Sequence, residues 1–391
     1  MYRSAKIRLK PTLEQEVLFR KSAGVARWAY NFYLAENERL YREYLENGKT
    51  GKKSISEGAL RKYINNELKP TTHSWLKEVS SNVMKQAVMD ADKARRWWFD
   101  GVSAKPRFKS KHKSKLSFYV NYESLRWTQR GFKGERLGEI KTSRPLPKLD
   151  KGKQYLNPRV TFDGKYWYLS VVYEVHPQAA GITSEVLGID VGIKDLAIVS
   201  NGRVYKNINK TKCVRKLETK LKREERRLSR KQLANTKSYD KNHKPTFKRP
   251  LHECKNWNKQ VAVVQGLHKQ LTDIRQNHLH QASAEIVKTK PSRIVMETLN
   301  ISGMMRNRHL SKALSNQKLY EFKRQVQYKC ETYGIEFVEA DRWFPSSKLC
   351  SGCGCKKTNL KLVDRTYHCN ECGLTIDRDY NASLNLANYR I

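Results

Sequence analysis

Apolar and polar residues alternate over residues 2–9, which predicts a β-strand at the start of the chain. Pro11 and Thr12 then introduce a helical periodicity that runs to about Phe99, with Thr12 as the expected helix cap. Many aromatic side chains lie along this region, and we interpret most of them as core residues of a helical bundle. The N-terminal quarter therefore predicts one strand followed by a bundle.

The pattern changes at about Lys105, where a basic segment (residues 105–115) precedes short alternating runs at residues 159–162 and 166–173. Such runs are typical of antiparallel strands, and Asp163-Gly164 between them predicts a hairpin turn. We expect a β-barrel or a small sandwich here. The N-terminal strand could belong to it, with the helical region as an insertion.

A third pattern begins at Leu187 and is typical of an α/β domain. Residues 187–192 and 196–199 predict its opening hairpin, and residues 293–296 and 335–339 predict later strands. Helices are predicted at residues 214–233, 261–288, 315–333 and from about Asn381. Residues 234–256 lose all periodicity and predict a loop or a disordered insertion. The sequence contains no internal repeat.

Length and charge narrow the class of protein. The 391 residues indicate two or three domains, and 78 Lys and Arg against 38 Asp and Glu give a formal net charge of +40. Such a surplus favours a polyanionic partner. The mean hydropathy of −0.78 and the lack of a long apolar run favour nucleic acid over a membrane. The N-terminus also lacks the apolar stretch of a secretory signal, so we expect a cytoplasmic protein.

Acidic residues end two of the predicted core strands. Asp190 ends the strand that begins at Leu187, Glu297 follows residues 293–296, and a third acidic group contains Asp377 and Asp379. Carboxylates that converge in this way suit Mg²⁺ or Mn²⁺, and two such ions could hydrolyse a phosphodiester. Any one of these acids alone is better explained as an ordinary strand-end or capping residue. Together, in so basic a protein, they favour a metal-dependent nuclease.

Two CxxC pairs predict a zinc ribbon. Cys350 and Cys353 are separated by 15 residues from Cys369 and Cys372, which is the spacing of a four-thiolate Zn²⁺ site. A closed site of this kind is structural. Possible substitute ligands are Cys355 and His368. The clustering of cysteines in this segment indicates a metal site in a reducing compartment and argues against a disulfide framework.

Two segments concentrate positive charge, residues 105–115 and the predicted helix 214–233, which carries nine Lys or Arg and three Glu. A solvated face is the usual explanation of one charged helix. The surplus of positive charge across the whole chain favours contacts with phosphates instead. Composition leaves single-stranded nucleic acid, RNA and duplex DNA equally open.

In combination, six motifs resemble those of the TnpB (OrfB) proteins of bacterial insertion sequences, which are similar to the type V CRISPR effector nucleases. The resemblance covers nearly the whole chain and lies in KIRLKPT (6–12), PRFKSK (106–111), GIDVG (188–192), ETLNISGM (297–304), WFPSSKLCSGCG (343–354) and DRDYNA (377–382).

The resemblance implies a multidomain α+β protein. A wedge-type β-barrel (residues 1–12 and 105–183) would carry an inserted helical recognition domain (13–104). A RuvC-like nuclease domain with the RNase H fold (184–343 and 374–391) would carry the zinc ribbon (344–373). The implied activity is cleavage of double-stranded target DNA, directed by a guide RNA from the transposable element, beside a short recognition motif.

Carried over by position, the resemblance implies Asp190, Glu297 and Asp379 as catalytic acids and Mg²⁺ ligands, with Asp377 as the second choice for the third acid. It implies the four ribbon cysteines as Zn²⁺ ligands. The expected setting is the cytoplasm of a bacterium or archaeon, with action at the nucleoid, and the number of protein copies per RNA stays open. Two alternatives also stay open: a nuclease-inactive RNA-guided repressor and a strand-transfer transposase.

Overall fold

The computed structural model describes residues 1–111, 114–150, 152–176, 181–241, 243–361 and 363–390. The chain forms two compact units, Met1–Val175 and His176–Ile391. Both units contain helices and sheets, so the predicted multidomain α+β class is confirmed.

The first unit contains a seven-stranded sheet in the order β2-β6-β7-β1-β5-β4-β3. The N-terminal strand belongs to this sheet, as predicted, and lies at its centre: β1 pairs with β7 over residues 2–8 and with β5 at residues 9 and 10. Ala5, Ile7 and Leu9 are buried on one face of β1, because alternate side chains of a strand point to one side. The strands are β1 (Tyr2–Lys10), β2 (Ser117–Tyr119), β3 (Arg126–Trp127), β4 (Gly131–Gly134), β5 (Gly138–Thr142), β6 (Leu156–Phe162) and β7 (Trp167–Glu174).

Helices are inserted between β1 and β2. Thr12 and Gln15 form a capping box at the start of the first helix, so the prediction of Thr12 as the helix cap is confirmed. Phe19 of that helix packs against Trp167 of β7, with ring centroids 5.1 Å apart, so helices and sheet share one hydrophobic cluster. The helices are α1 (Leu13–Glu46), α2 (Glu57–Tyr63) and α3 (Ser81–Phe99), with a π-helical turn at Ile64–Leu68 and a 3₁₀ turn at Ser74–Glu78.

The hairpin between β6 and β7 turns one residue later than predicted. The N–H of Asp163 donates to the carbonyl of Tyr166 at 3.1 Å, so Gly164 and Lys165 form the turn. Gly164 has φ +99°, a conformation that glycine adopts without strain.

The second unit contains a five-stranded sheet in the order β10-β9-β8-β13-β14. Strands β8, β9 and β10 are antiparallel neighbours, whereas β13 pairs in parallel with both β8 and β14. The predicted hairpin and the two later strands are therefore confirmed. The strands are β8 (Val186–Val191), β9 (Asp195–Val199), β10 (Val204–Lys206), β13 (Arg293–Met296) and β14 (Glu336–Glu339); two further hairpins are formed by β11 (Thr236–Tyr239) with β12 (Pro245–Phe247), and by β15 (Thr366–His368) with β16 (Thr375–Asp377).

Helices cover both faces of this sheet. Ile294 of β13 belongs to the hydrophobic cluster with helices α5 and α8, and the next residue, Val295, belongs to the cluster with Leu386 of helix α9. The helices are α4 (Lys212–Asn235), α5 (Lys255–Lys288), α6 (Ile301–Met304), α7 (Arg308–Gln317), α8 (Leu319–Tyr333) and α9 (Arg378–Ala387), with 3₁₀ turns at Ile208–Lys210 and Leu251–Glu253.

Three predictions in this unit were wrong in detail. Residues 234–256 contain the β11–β12 hairpin, although residue 242 lies outside the described part. The predicted helix 315–333 is broken at Lys318, whose φ of +54° separates α7 from α8. The last helix begins at Arg378 because Asp377 caps it, three residues before Asn381. None of the described helices has an apolar stretch long enough to cross a membrane.

Candidate functional site

Strand register brings Asp190 and Glu297 together. Ile189 of β8 is paired with Met296 of β13 in a parallel ladder, so the residue that follows each of them in the chain is one of the two acids. The backbone N–H of Val191 donates to Glu297 Oε1 at 3.3 Å. Both side chains lie at the carboxyl ends of adjacent strands, where open α/β sheets generally bind ligands.

The two carboxyl groups are partly buried and interact electrostatically with each other. Burial raises the pKa of Asp190 well above its ordinary value, and the negative charges of Glu297 and Asp379 raise it further. Burial also raises the pKa of Glu297 to about 7, although the N–H of Val191 opposes the rise. A bound cation would favour the ionised forms, because an opposite charge offsets both burial and mutual repulsion.

The two candidates for the third acid have different environments. Asp377 accepts the N–H groups of Asp379 and Tyr380, both at 3.0 Å, and thereby caps α9. Asp379 lines the same cavity as Asp190 and Glu297. The geometry therefore favours Asp379 as the third acid.

Arginines, which the sequence reasoning missed, hold Asp379. Arg378 donates from Nη2 to Asp379 Oδ1 at 2.9 Å, and Arg365 Nη1 lies 3.8 Å from Asp379 Oδ2. The position of Arg378 between two acids was the available sequence signal. The cavity has a volume of about 730 Å³, and its lining also includes Lys210 and Lys361. It therefore presents both carboxylates and cations, as a site for a metal-bound phosphodiester requires.

The cysteines form the tightest ligand cluster in the part of the chain that is described. The four Sγ atoms of Cys350, Cys353, Cys369 and Cys372 all lie within 4.8 Å of one another, and those of Cys350 and Cys372 are 3.5 Å apart. Four thiolates at about 2.3 Å from a tetrahedral ion would be separated by about 3.8 Å, so this cluster fits zinc. The three acids do not reach this tightness in the described chain.

The two halves of the cysteine cluster have the same backbone geometry. Gly354 N–H donates to the carbonyl of Cys350 and Gly373 N–H to that of Cys369, at 2.9 and 3.1 Å. Both glycines have positive φ, +78° and +70°, a conformation that glycine adopts without strain. The N–H of Cys372 lowers the pKa of the Cys369 thiol, whereas hydrogen bonds among the thiols raise the pKa of Cys372. Cys355 lies outside the cluster.

Helix α9 is clamped to the first cysteine turn. Asn381, which is fully buried, accepts the N–H of Ser351 at 2.9 Å and donates to the carbonyl of Leu349 at 2.6 Å. Asn385 donates to Leu349 and to Ser346, at 2.8 and 2.7 Å. The helix that carries Asp379 is thus tied to the metal-ligand turn, a link that the sequence analysis did not identify.

A basic surface is present on the predicted helix 214–233, whereas the basic segment 105–115 stays a prediction. One face of α4, with residues of the preceding turn, lines a groove of about 720 Å³ whose lining is basic except for Thr219: Lys210, Lys212, Arg215, Lys216, Lys220 and Arg223. In the segment 105–115, Asn31 holds the backbone of Lys109 through two hydrogen bonds of 2.7 and 2.9 Å. His112 and Lys113 lie outside the described residues.

Three family models match the chain. One described as "Probable transposase" covers residues 170–308, and one described as "Cas12f1-like, TNB domain" covers residues 320–386. A third, described as a helix-turn-helix domain, covers residues 1–46. In this chain that last segment is strand β1 followed by the single helix α1.

Relatives match along almost the entire chain. A protein of Streptomyces pristinaespiralis with the provisional name "RNA-guided DNA endonuclease" is 30% identical, over 98% of this chain and 88% of the relative. The similarly named InsQ of Escherichia coli (strain K12) is 27% identical over 97% of this chain and 90% of its own length.

The fold is shared with solved structures, of which we describe one. It is described as the Cas12f1-sgRNA-target DNA complex, and it covers 99% of both chains with a TM-score of 0.53 at 14% sequence identity. At this identity the likeness concerns the fold alone.

Proposed function

Because the chain belongs to the TnpB (OrfB) family, we propose that it is an RNA-guided DNA endonuclease encoded by a transposable element. It would bind a guide RNA and cleave double-stranded target DNA beside a short recognition motif. The observation that carries the proposal is the pairing of Asp190 and Glu297 at adjacent strand ends, on one cavity with Asp379. The net charge of +40 supports a nucleic acid partner.

The acids would hold Mg²⁺ or Mn²⁺. The raised pKa of Glu297 supports this assignment, because neighbouring carboxylates that resist ionisation are stabilised in their charged forms by a divalent cation. When bound, the metal would supply an activated water and stabilisation of the leaving oxygen. Asp190, Glu297 and Asp379 would supply its carboxylate ligands. Arg365 and Arg378 line the same cavity and would supply positive charge for the phosphate.

The architecture supports the finer domain assignment. In the second unit, three antiparallel strands followed by two parallel ones suit a RuvC-like domain of the RNase H fold, and the four cysteines suit a Zn²⁺ ribbon at residues 344–373. In the first unit, a sheet that contains the N-terminal strand suits a wedge-type barrel with a helical insertion. We assign the zinc a structural role, because four thiolates leave it no open position.

Purification of the full chain from its native host, followed by sequencing of any bound RNA, tests the guided activity. The complex is then incubated with Mg²⁺ and linear DNA that carries the sequence complementary to that RNA. Free DNA ends are the expected products. Joined products would indicate strand transfer, and intact bound DNA would indicate a repressor. A protein free of RNA would overturn the guided function.

A further inference from the structure

Large aromatic side chains are exposed at the end of α3. Trp97 and Phe99 are 47% and 61% exposed, and Trp98 between them is half-buried. These three residues are called the α3 platform. Exposed rings in succession require an explanation, because large apolar groups at a surface usually mark a binding site. The catalytic site proposed above lies in the other unit and makes no use of them.

Each ring of the α3 platform has a cation beside it. Lys93 Nζ lies 4.7 Å from the centroid of Trp97, and Arg95 Cζ lies 4.9 Å from that of Phe99. Lys105 Nζ lies 5.7 Å from the centroid of Trp98. The cations are attracted to the ring faces, and they also give the surface the charge that attracts phosphates.

The spacing of the rings indicates the kind of partner. Successive helical residues point about 100° apart, whereas a helix that docks on another helix uses residues three and four apart. Trp97 and Phe99 are two positions apart on the helix and therefore point in different directions, while Trp98 and Phe99 lie 4.7 Å apart with their planes tilted by 30°. Rings at different angles among cations suit bases that are splayed out of a strand, as in the unpaired parts of RNA.

We propose that the α3 platform binds an unpaired segment of RNA by stacking bases on Trp97 and Phe99. On binding, Lys93 and Arg95 leave the ring faces to the bases and contact the neighbouring phosphates. The inference rests on the proposed function, since the RNA is the one that the guided nuclease carries.

Ultraviolet crosslinking of the purified complex tests the contact directly. Trypsin releases the α3 platform in one peptide, residues 97–107, because Lys105 is followed by Pro106. The matched control is the peptide 127–130, whose Trp127 is 40% exposed in the same unit. A ribonucleotide adduct on the first peptide and none on the second is expected. A deoxynucleotide adduct there, or RNA crosslinked only elsewhere, would overturn the inference.

Binding of a single-stranded oligouridine probe of about 15 nucleotides gives a second readout. The double variant W97L/F99L keeps apolar side chains but removes the rings, and we expect an affinity loss of about tenfold per ring. Its salt dependence should match the wild type, because stacking releases no counterions. In K93Q/R95Q the slope of log affinity against log salt should fall by about 0.7 per cation.

The control variant W127L should bind oligouridine like the wild type. Equal affinities for W97L/F99L and the wild type, or an equal loss in W127L, would refute stacking at the α3 platform. If the wild-type chain neither retains RNA nor binds the probe, the proposed function itself fails. These outcomes separate the two claims.

Discussion

Gly188 permits close packing of α9 on β8, and its replacement by alanine should displace that helix. A Cβ atom at residue 188 would lie 2.0 Å from the carbonyl oxygen of Ser383 and 2.3 Å from the backbone N of Ala387. Ordinary contact begins near 3.4 Å, so α9 would have to move by about 1.4 Å. Both clashing atoms are backbone, and no side-chain rotation can relieve them.

The expected cost of Gly188→Ala is about 1–3 kcal/mol of unfolding free energy, or a fall in melting temperature of about 5 °C. Because α9 carries Asp379, a displacement of this size should also slow DNA cleavage by about 100-fold. Calorimetry and a single-turnover cleavage assay measure the two effects.

Gly192→Ala is the matched control for stability, since its Cβ would lie 3.5 Å from the nearest atom, the carbonyl oxygen of Asp195. This variant should melt like the wild type. If Gly188→Ala instead melts within about 1 °C of the wild type and cleaves at the same rate, α9 does not pack on β8 as described.

Three further predictions concern the clamp, the acids and the cysteines. Asn381→Ala should lower the melting temperature by about 4 °C and speed the release of zinc to a chelator, because it leaves buried backbone groups without hydrogen-bond partners. Asn388 is exposed, so Asn388→Ala should have neither effect. In metal-free protein, the pKa of Glu297 is raised in the folded state to about 7. Its contribution to the unfolding free energy is therefore fully present below pH 4.5 and is lost as the pH rises to about 7. Urea titrations should show that Glu297→Gln gains stability relative to the wild type across this pH range. Cys369→Ser should lose bound zinc by elemental analysis and Cys355→Ser should keep it; equal loss in both would contradict the four-cysteine site.

The strands around the site were predictable because their residues form short apolar runs. Asp190 and Glu297 end such runs, so their proximity follows from parallel pairing of the strands. The contact of Asp379 with Arg365 depends instead on how the ribbon folds back on α9. No local sequence pattern predicts this arrangement.

Other elements left weaker signals. The β11–β12 hairpin is largely exposed, so it has no buried face to give an alternating pattern. The break between α7 and α8 occurs at Lys318, which has a left-handed backbone conformation. A glycine or asparagine at this position would have predicted a helix end, but a lysine does not. The start of α9 was readable from Asp377, since aspartate is a favoured cap.

The rate of target cleavage by Asp190→Asn tests most directly the claim that the acids carry the chemistry. The complex should retain its RNA and bind the complementary DNA, yet produce no ends in Mg²⁺, because the variant loses a metal-binding carboxylate. Asp377→Asn is the companion variant, since asparagine also caps helices, and it should cleave like the wild type. Cleavage by Asp190→Asn at the wild-type rate would contradict the account.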